Sequence, residues 1–86
     1  PYSIEHQLID YQEVDLGVPV GFWRSVGHSH NGFALECFID EVAHAEGRDP
    51  FEWRRARLDG DPRLLQVLER AAMEAGWGTP LPRGRG

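Results

Sequence analysis

The pattern of apolar and polar residues changes partway along the chain, from alternation to helical spacing. Between residues 2 and 16 (YSIEHQLIDYQEVDL) apolar and polar residues alternate, with Ile4 and Leu8 in one phase and Ile9 and Tyr11 in the other. Alternation is typical of a strand, and a change of phase indicates a bulge or two short strands. We therefore predict one or two strands over residues 2–16.

Glycine and proline mark a loop after this region. GVPVG at residues 17–21 is a cluster of residues that break regular structure, and the loop continues to residue 32. Within it, Gly21 and Gly27 bracket a short run containing Trp23. A glycine-bounded loop that enters a helix offers unpaired N–H groups and a positive helix end, which suit an anionic or oxo-bearing ligand. From the residues alone, however, a packing turn anchored by Phe22 and Trp23 is the simpler interpretation.

Three helices are predicted beyond this loop. Apolar residues at positions 35, 38, 39 and 42 lie on one helical face, which predicts a first helix over about 30–46. Asp-Pro pairs at 49–50 and 61–62 predict helices over 50–58 and 62–75, because Asp is a good N-cap and Pro is favoured at the first helical position. The predicted fold class is α+β, with one or two N-terminal strands, a glycine-bounded loop and three helices. Two strands do not form an independent sheet, so we expect another part of a larger protein to complete it.

Composition limits the classes of protein to consider. The 86 residues carry a net charge of −5, with 41% hydrophobic and 27% charged residues, which is typical of one small globular domain. An acidic balance argues against nucleic-acid binding, which depends on lysine and arginine. No apolar run reaches the roughly 20 residues of a membrane span. The single cysteine, Cys37, favours a reducing compartment. We expect the cytoplasm, with the periplasm as the alternative.

Neither a metal site nor a catalytic residue is predicted from the residues themselves. Four metal-capable side chains fall within 17 residues, namely His28, His30, Cys37 and His44. Zinc needs three or four converging ligands, whereas Cys37 and His44 lie seven positions apart in the predicted first helix. Loop histidines and a core thiol are the simpler interpretation. The acidic residues Glu36, Asp40 and Glu41 are interpreted as a solvated helix face.

Residues 17–58, GVPVGFWRSVGHSHNGFALECFIDEVAHAEGRDPFEWRRARL, resemble the molybdopterin-binding large subunit of the xanthine dehydrogenase/aldehyde oxidase family. The isoquinoline 1-oxidoreductase beta-subunit type carries a similar WRSVG loop, and VLERAAMEAGWGTPLP at 67–82 resembles the next segment of that subunit. In the broader family the loop reads Phe-Arg-Gly-Phe-Gly-Gly-Pro-Gln. The chain departs from it where Ser25, His28, Ser29 and His30 replace Gly, Gly, Pro and Gln.

The resemblance implies roles for four residues of this loop. Arg24 corresponds to an arginine whose main-chain amide contacts the molybdenum cofactor, and Gly27 is the second implied cofactor-binding residue. Val26 corresponds to an aromatic position of the substrate pocket, and Trp23 is also expected to line that pocket. The catalytic glutamate of such subunits lies in a Gly-Val-Gly-Glu-like segment that these 86 residues lack, so no catalytic residue is expected here.

The resemblance also implies a function. The chain would be a segment of a molybdenum hydroxylase, which hydroxylates N-heterocycles or oxidises aldehydes with water as the oxygen source. The implied cofactor is molybdopterin, in its cytosine dinucleotide form, with [2Fe–2S] clusters on an iron–sulfur partner subunit. The segment alone is expected to bind neither group and to be inactive, and the remainder of the large subunit is its expected partner. A free-standing small helical interaction module is the alternative.

Overall fold

The computed structural model describes residues 2–84, and the regular structure of these residues is helical. Helix α1 spans His28–Ala45, α2 spans Pro50–Arg55 and α3 spans Pro62–Ala75. The predicted helices covered about 30–46, 50–58 and 62–75. The largest difference is at α2, which ends three residues earlier than predicted because the chain turns at residues 56–57.

The predicted α+β class is wrong for the described residues, because residues 2–84 contain no strand. Residues 7–16 are extended or irregular chain. Leu8, Ile9 and Tyr11 are more than 80% exposed, so neither phase of the alternation faces a core. Alternation stabilises a strand only where a neighbouring strand takes up its hydrogen bonds and a core covers one face. Residues 2–84 provide neither a neighbouring strand nor a core for this segment.

The chain divides into two compact units, of which residues 4–48 form one. In this unit α1 follows a long segment without regular structure. Ile39 and Ala43 of α1 are buried, at 3% and 0% exposure. Leu35 and Phe38, which lie on the predicted apolar face, remain 42% and 62% exposed. The helical spacing therefore identifies the apolar face of α1 correctly, but only part of that face is buried within the described residues.

Residues 49–84, together with residues 2–3, form the other unit. Helix α2 begins at the N-cap Asp49, whose carboxylate accepts a hydrogen bond from the Glu52 N–H. Helix α3 begins at the N-cap Asp61 and ends at Gly76, which has a left-handed conformation with φ of 65°. These are common ways to start and end a helix, because they satisfy backbone groups that lack a partner within it.

Trp53 of α2 is buried, at 4% exposure. The Tyr2 ring meets the Trp53 ring edge to face, with centroids 6.0 Å apart. The Arg57 guanidinium lies over the Trp53 ring, 3.7 Å from its centroid. The Ser3 N–H donates to the Arg57 carbonyl at 2.8 Å, and the Ser3 hydroxyl donates to the Asp59 carboxylate at 3.0 Å. Residues 2–3 are thereby fixed to the chain that follows α2.

Ion pairs connect α2 and α3 on the surface of the same unit. The Arg55 Nε donates to the Glu69 carboxylate at 3.2 Å, and the Arg55 guanidinium also pairs with Glu52 at 3.2 Å. These interactions raise the pKa of Arg55, with the Glu52 hydrogen bond as the largest cause. The charges of α2 are therefore partly compensated within this unit.

Candidate functional site

The loop residues singled out by the sequence form a tight turn directly before α1. The Val26 N–H donates to the Trp23 carbonyl at 3.2 Å, and the His28 N–H donates to the Ser25 carbonyl at 2.9 Å. The turn leads into Gly27, which is the N-cap of α1. No side chain caps this end of the helix. These two overlapping hydrogen bonds fix the path of the backbone.

A third hydrogen bond joins this turn to the first turn of α1. The Ser29 hydroxyl donates to the Arg24 carbonyl at 3.1 Å. The carbonyls of Trp23, Arg24 and Ser25 are thus all hydrogen-bonded within the loop and helix start. We name residues 23–27, held in this way, the pre-helix turn.

The backbone of the pre-helix turn is strained. Ser25 and Val26 have φ of 68° and 49°, in the left-handed region. A β-branched residue such as Val26 is rarely found there, because its side chain crowds the backbone. The glycines that bracket the run do not take this conformation, and Gly27 has φ of −72°. Strained residues of this kind cluster at ligand sites.

The resemblance assigned the cofactor contact to the main chain of Arg24 and Gly27. Within residues 2–84 the N–H groups of Arg24 and Gly27 donate no hydrogen bond. The N–H groups of Trp23 and Ser25 likewise donate none there, so the carbonyls of residues 23–25 are hydrogen-bonded while four N–H groups of the turn are available. An arrangement of this kind can bind a ligand rich in hydrogen-bond acceptors.

The side chains before the turn surround a concavity. Phe22, Trp23 and Arg24 line a space of about 470 Å³. Phe22 is fully exposed and Trp23 is 79% exposed. The Arg24 guanidinium makes no ion pair or hydrogen bond within the part of the chain that the structure describes. The concavity therefore combines two accessible aromatic rings with one positive charge.

The structure brings the four predicted site residues into one turn but gives them different surroundings. Trp23 and Arg24 line the concavity. Val26 is 77% exposed and is not among the lining residues, and Gly27 is partly buried at the helix start. Sequence reasoning missed the Ser29 hydroxyl as a brace for the Arg24 carbonyl. The signal for Ser29 was a serine directly before a predicted helix, a position from which hydroxyls often bond the backbone.

Residues 2–84 contain neither a cluster of metal ligands nor a helix that could span a membrane. No group of three or more His, Cys, Asp and Glu side chains there is arranged to hold a metal ion. His28 and His30 lie in the first turn of α1, and Cys37 is exposed on the same helix. None of the helices in the described residues has the length and apolar character needed to cross a bilayer.

A second concavity, of about 480 Å³, lies between α2 and α3. It is lined by Asp49, Phe51, Glu52, Glu69, Ala72, Met73 and Trp77. Its carboxylates already have partners, since Asp49 accepts from Trp77 and both Glu52 and Glu69 pair with Arg55. We therefore regard the concavity beside the pre-helix turn as the better candidate for a functional site.

In sequence the chain is similar to parts of three oxidoreductases. It is 36% identical to a nicotinate dehydrogenase subunit of Pseudomonas putida over 77 residues, which cover 90% of this chain and 6% of that protein. It is 30% identical to the beta subunit of isoquinoline 1-oxidoreductase of Brevundimonas diminuta, over 88% of this chain and 10% of that protein. It is 42% identical to the membrane-bound aldehyde dehydrogenase [pyrroloquinoline-quinone] of Gluconacetobacter polyoxogenes, over 73% of this chain and 10% of that protein.

The chain thus spans no more than about a tenth of the length of these curated relatives. Their names describe enzymes that oxidise nicotinate, isoquinoline or an aldehyde, and two of the names describe subunits. No protein-family model matches the chain. No solved structure matches it.

Proposed function

We propose that this chain is a segment of the large subunit of a molybdenum hydroxylase, in which the pre-helix turn forms part of the wall of the molybdopterin and substrate pocket. The parent protein would be a molybdenum-dependent oxidoreductase that acts on an N-heterocycle or an aldehyde. The similarity to subunits of nicotinate dehydrogenase and isoquinoline 1-oxidoreductase supports this class.

The observation that carries the proposal is the division of backbone groups in the pre-helix turn. The carbonyls of Trp23, Arg24 and Ser25 accept hydrogen bonds from within the turn and the start of α1, at distances between 2.9 and 3.2 Å. The N–H groups of Arg24 and Gly27, like those of Trp23 and Ser25, have no acceptor among residues 2–84. A pterin with its oxygen-rich substituents presents acceptors, so these residues fit such a group. Donors held in place before the ligand arrives bind it at a lower entropic cost.

When bound, the molybdenum cofactor supplies the redox chemistry, and the chain supplies position and shape. The main-chain N–H groups of Arg24 and Gly27 would hold the cofactor edge. Trp23 and Val26 would border the substrate and exclude water, because both present large apolar surfaces next to those N–H groups. No general acid or base is assigned to these residues.

The remaining parts of the proposal concern the protein that surrounds the chain. We assign the rest of the large subunit and an iron–sulfur subunit with [2Fe–2S] clusters as partners, and the cytosine dinucleotide as the cofactor form. The cytoplasm is the proposed location, with the periplasm as the alternative. The similarity to two proteins named as subunits supports an assembly of more than one chain.

A quinone cofactor is the second candidate. The observation that favours it is the name of the third relative, an aldehyde dehydrogenase with pyrroloquinoline quinone in its name. Like a pterin, this quinone is flat and rich in acceptors, so the pre-helix turn alone does not separate the two groups.

Elemental analysis and absorption spectroscopy of the purified whole protein separate these candidates. The proposal predicts molybdenum together with the absorption of iron–sulfur clusters in the purified complex. A complex that contains pyrroloquinoline quinone and lacks molybdenum would support the second candidate. A whole protein that contains neither molybdenum nor pyrroloquinoline quinone would instead favour the alternative of a free-standing small helical interaction module.

A further inference from the structure

The central peptide group of the pre-helix turn, between Arg24 and Ser25, is held by a hydrogen bond from a side chain. The Ser29 hydroxyl donates to the Arg24 carbonyl at 3.1 Å. We propose that Ser29 is a positioning residue that locks this peptide group in one of two orientations. Without the hydroxyl, the peptide group would rotate by about 180° to the other orientation.

The first argument is the type of turn that contains this peptide group. The Val26 N–H donates to the Trp23 carbonyl at 3.2 Å and so closes a β-turn. Of its two central residues, Arg24 has a negative φ and Ser25 has a φ of 68°, the combination that defines a type II turn. The second central position of such a turn favours glycine, because its φ is positive. Ser25 therefore occupies a position that serine disfavours.

The second argument is that a type I turn would keep the same closing hydrogen bond. Type I and type II turns share the bond between their first and last residues and differ in the orientation of the central peptide group. In a type I turn, φ at the second central residue is about −90° instead of about +80°. A flip of the peptide group between Arg24 and Ser25 would therefore relieve the strain at Ser25 and retain the bond from the Val26 N–H.

The third argument is that the Ser29 hydroxyl stabilises only one of these two forms. A planar trans peptide group directs its C=O and its N–H to opposite sides. The hydroxyl holds the Arg24 carbonyl on the side of α1, and the Ser25 N–H consequently points to the other side. Within residues 2–84 this carbonyl accepts no other hydrogen bond. A flip would turn the carbonyl away from Ser29 and break the bond.

The two opposing effects are of similar size. A left-handed backbone disfavours a non-glycine residue by about tenfold. One neutral hydrogen bond shifts an equilibrium by about fivefold. Loss of the Ser29 hydroxyl should therefore leave the flipped form in excess.

The orientation of the peptide group determines the hydrogen-bonding character of the turn. On the side away from α1, the locked form presents the Ser25 N–H, which is a donor, whereas the flipped form presents the Arg24 carbonyl, which is an acceptor. Ser29 thus selects between donor and acceptor on that side without lying on it. The lock concerns the backbone alone, so the inference goes beyond the proposed function and does not depend on it.

Crystal structures of the whole protein and its variants test the inference, because the position of the Arg24 carbonyl oxygen reports the orientation of the peptide group. Ser29→Ala should raise the ratio of flipped to locked occupancy by about fivefold, so that the flipped form predominates. Ser29→Thr keeps a hydroxyl and should retain the locked form. Ser3→Ala is the matched control, since it removes a hydroxyl that donates to Asp59 in the other unit, and it should leave the Arg24 carbonyl in place.

A second background separates a lock from a general loss of order in the turn. Ser25→Gly removes the cost of the positive φ. The locked form should therefore persist in the double variant Ser25→Gly/Ser29→Ala. A Ser29→Ala protein whose Arg24 carbonyl keeps its orientation, or a double variant that flips as fully as Ser29→Ala alone, would overturn the inference.

These outcomes are independent of the test of the proposed function. A molybdenum-containing protein whose peptide group is unaffected by Ser29→Ala would retain the proposed function and lose this inference. A molybdenum-free protein in which Ser29→Ala flips the peptide group would lose the proposed function and retain the lock.

Discussion

The indole N–H of Trp77 donates to both carboxylate oxygens of Asp49, at 3.3 and 3.1 Å. The same carboxylate accepts the Glu52 N–H at 3.0 Å and so caps α2. One side chain thus joins the start of α2 to Trp77, two residues beyond the end of α3. The Glu52 N–H is the largest cause of a lowered pKa at Asp49, and Trp77 contributes in the same direction.

The stability of this unit should therefore depend on pH through Asp49. Because the folded pKa is lower than the ordinary value, the ionised form stabilises the fold above the unfolded pKa of about 3.9. That contribution is lost as the pH falls through the lower, folded pKa. We expect the melting temperature, followed by circular dichroism, to fall in this acidic range, and Asp49→Asn to reduce the fall.

Asp49→Asn and Asp49→Ala form a matched pair. Asparagine retains an N-cap oxygen without the charge, whereas alanine removes the cap at a cost of about 1 kcal/mol at neutral pH. We expect the free energy of unfolding, measured by urea denaturation, to be highest for the wild type, lower for Asp49→Asn and lowest for Asp49→Ala. An Ala variant as stable as the Asn variant would contradict the assigned cap.

Arg57 should stabilise the second unit through its stacking on Trp53. The guanidinium lies 3.7 Å from the ring centroid, and such contacts contribute about 0.5–1 kcal/mol at accessible sites. Arg57→Gln should lower the unfolding free energy by this amount, measured by urea denaturation. Arg63→Gln, on the exposed surface of α3, should change it by less. Equal effects of the two substitutions would argue against a specific role for the stacking.

Relief of strain at Val26 should stabilise the pre-helix turn. A left-handed conformation costs a non-glycine residue about 1–2 kcal/mol, whereas glycine adopts it freely but adds about 0.5–1 kcal/mol of chain entropy. We expect Val26→Gly to raise the unfolding free energy by up to about 1 kcal/mol. Val26→Ala retains most of the strain and is the control. If the glycine variant were no more stable than the alanine variant, the φ of 49° would not be a source of strain.

Val26 is also the proposed border of the substrate. In the whole protein, Val26→Phe should shift the preference among flat heterocyclic substrates, because the larger ring occupies space next to the substrate. The ratio of kcat/KM for two substrates of different width measures this shift. Val18→Phe, at another exposed valine, is the control and should leave the ratio unchanged. A substrate profile unaltered by Val26→Phe would remove Val26 from the pocket.

The sequence predicted local structure, such as the starts of helices, better than it predicted tertiary structure. Asp49-Pro50 and Asp61-Pro62 stand at the starts of α2 and α3, because a cap depends on residues a few positions apart. The strand prediction over residues 2–16 is wrong for the described residues, since a strand needs a partner that alternation cannot supply.

The candidate site shows the same limit. The run from Trp23 to Gly27 could be selected from its composition and its resemblance to a known loop. The left-handed Ser25 and Val26 could not be foreseen, because serine and valine do not favour that conformation. The sequence suggested Phe22 as an anchor for packing, yet Phe22 is fully exposed and lines the concavity.

Elemental analysis of the whole protein, purified as wild type and as Arg24→Ala, tests the central claim most directly. The account predicts molybdenum in both, in amounts that differ little, because the main-chain N–H at position 24 remains when the side chain is removed. Wild-type protein purified without molybdenum would contradict the account.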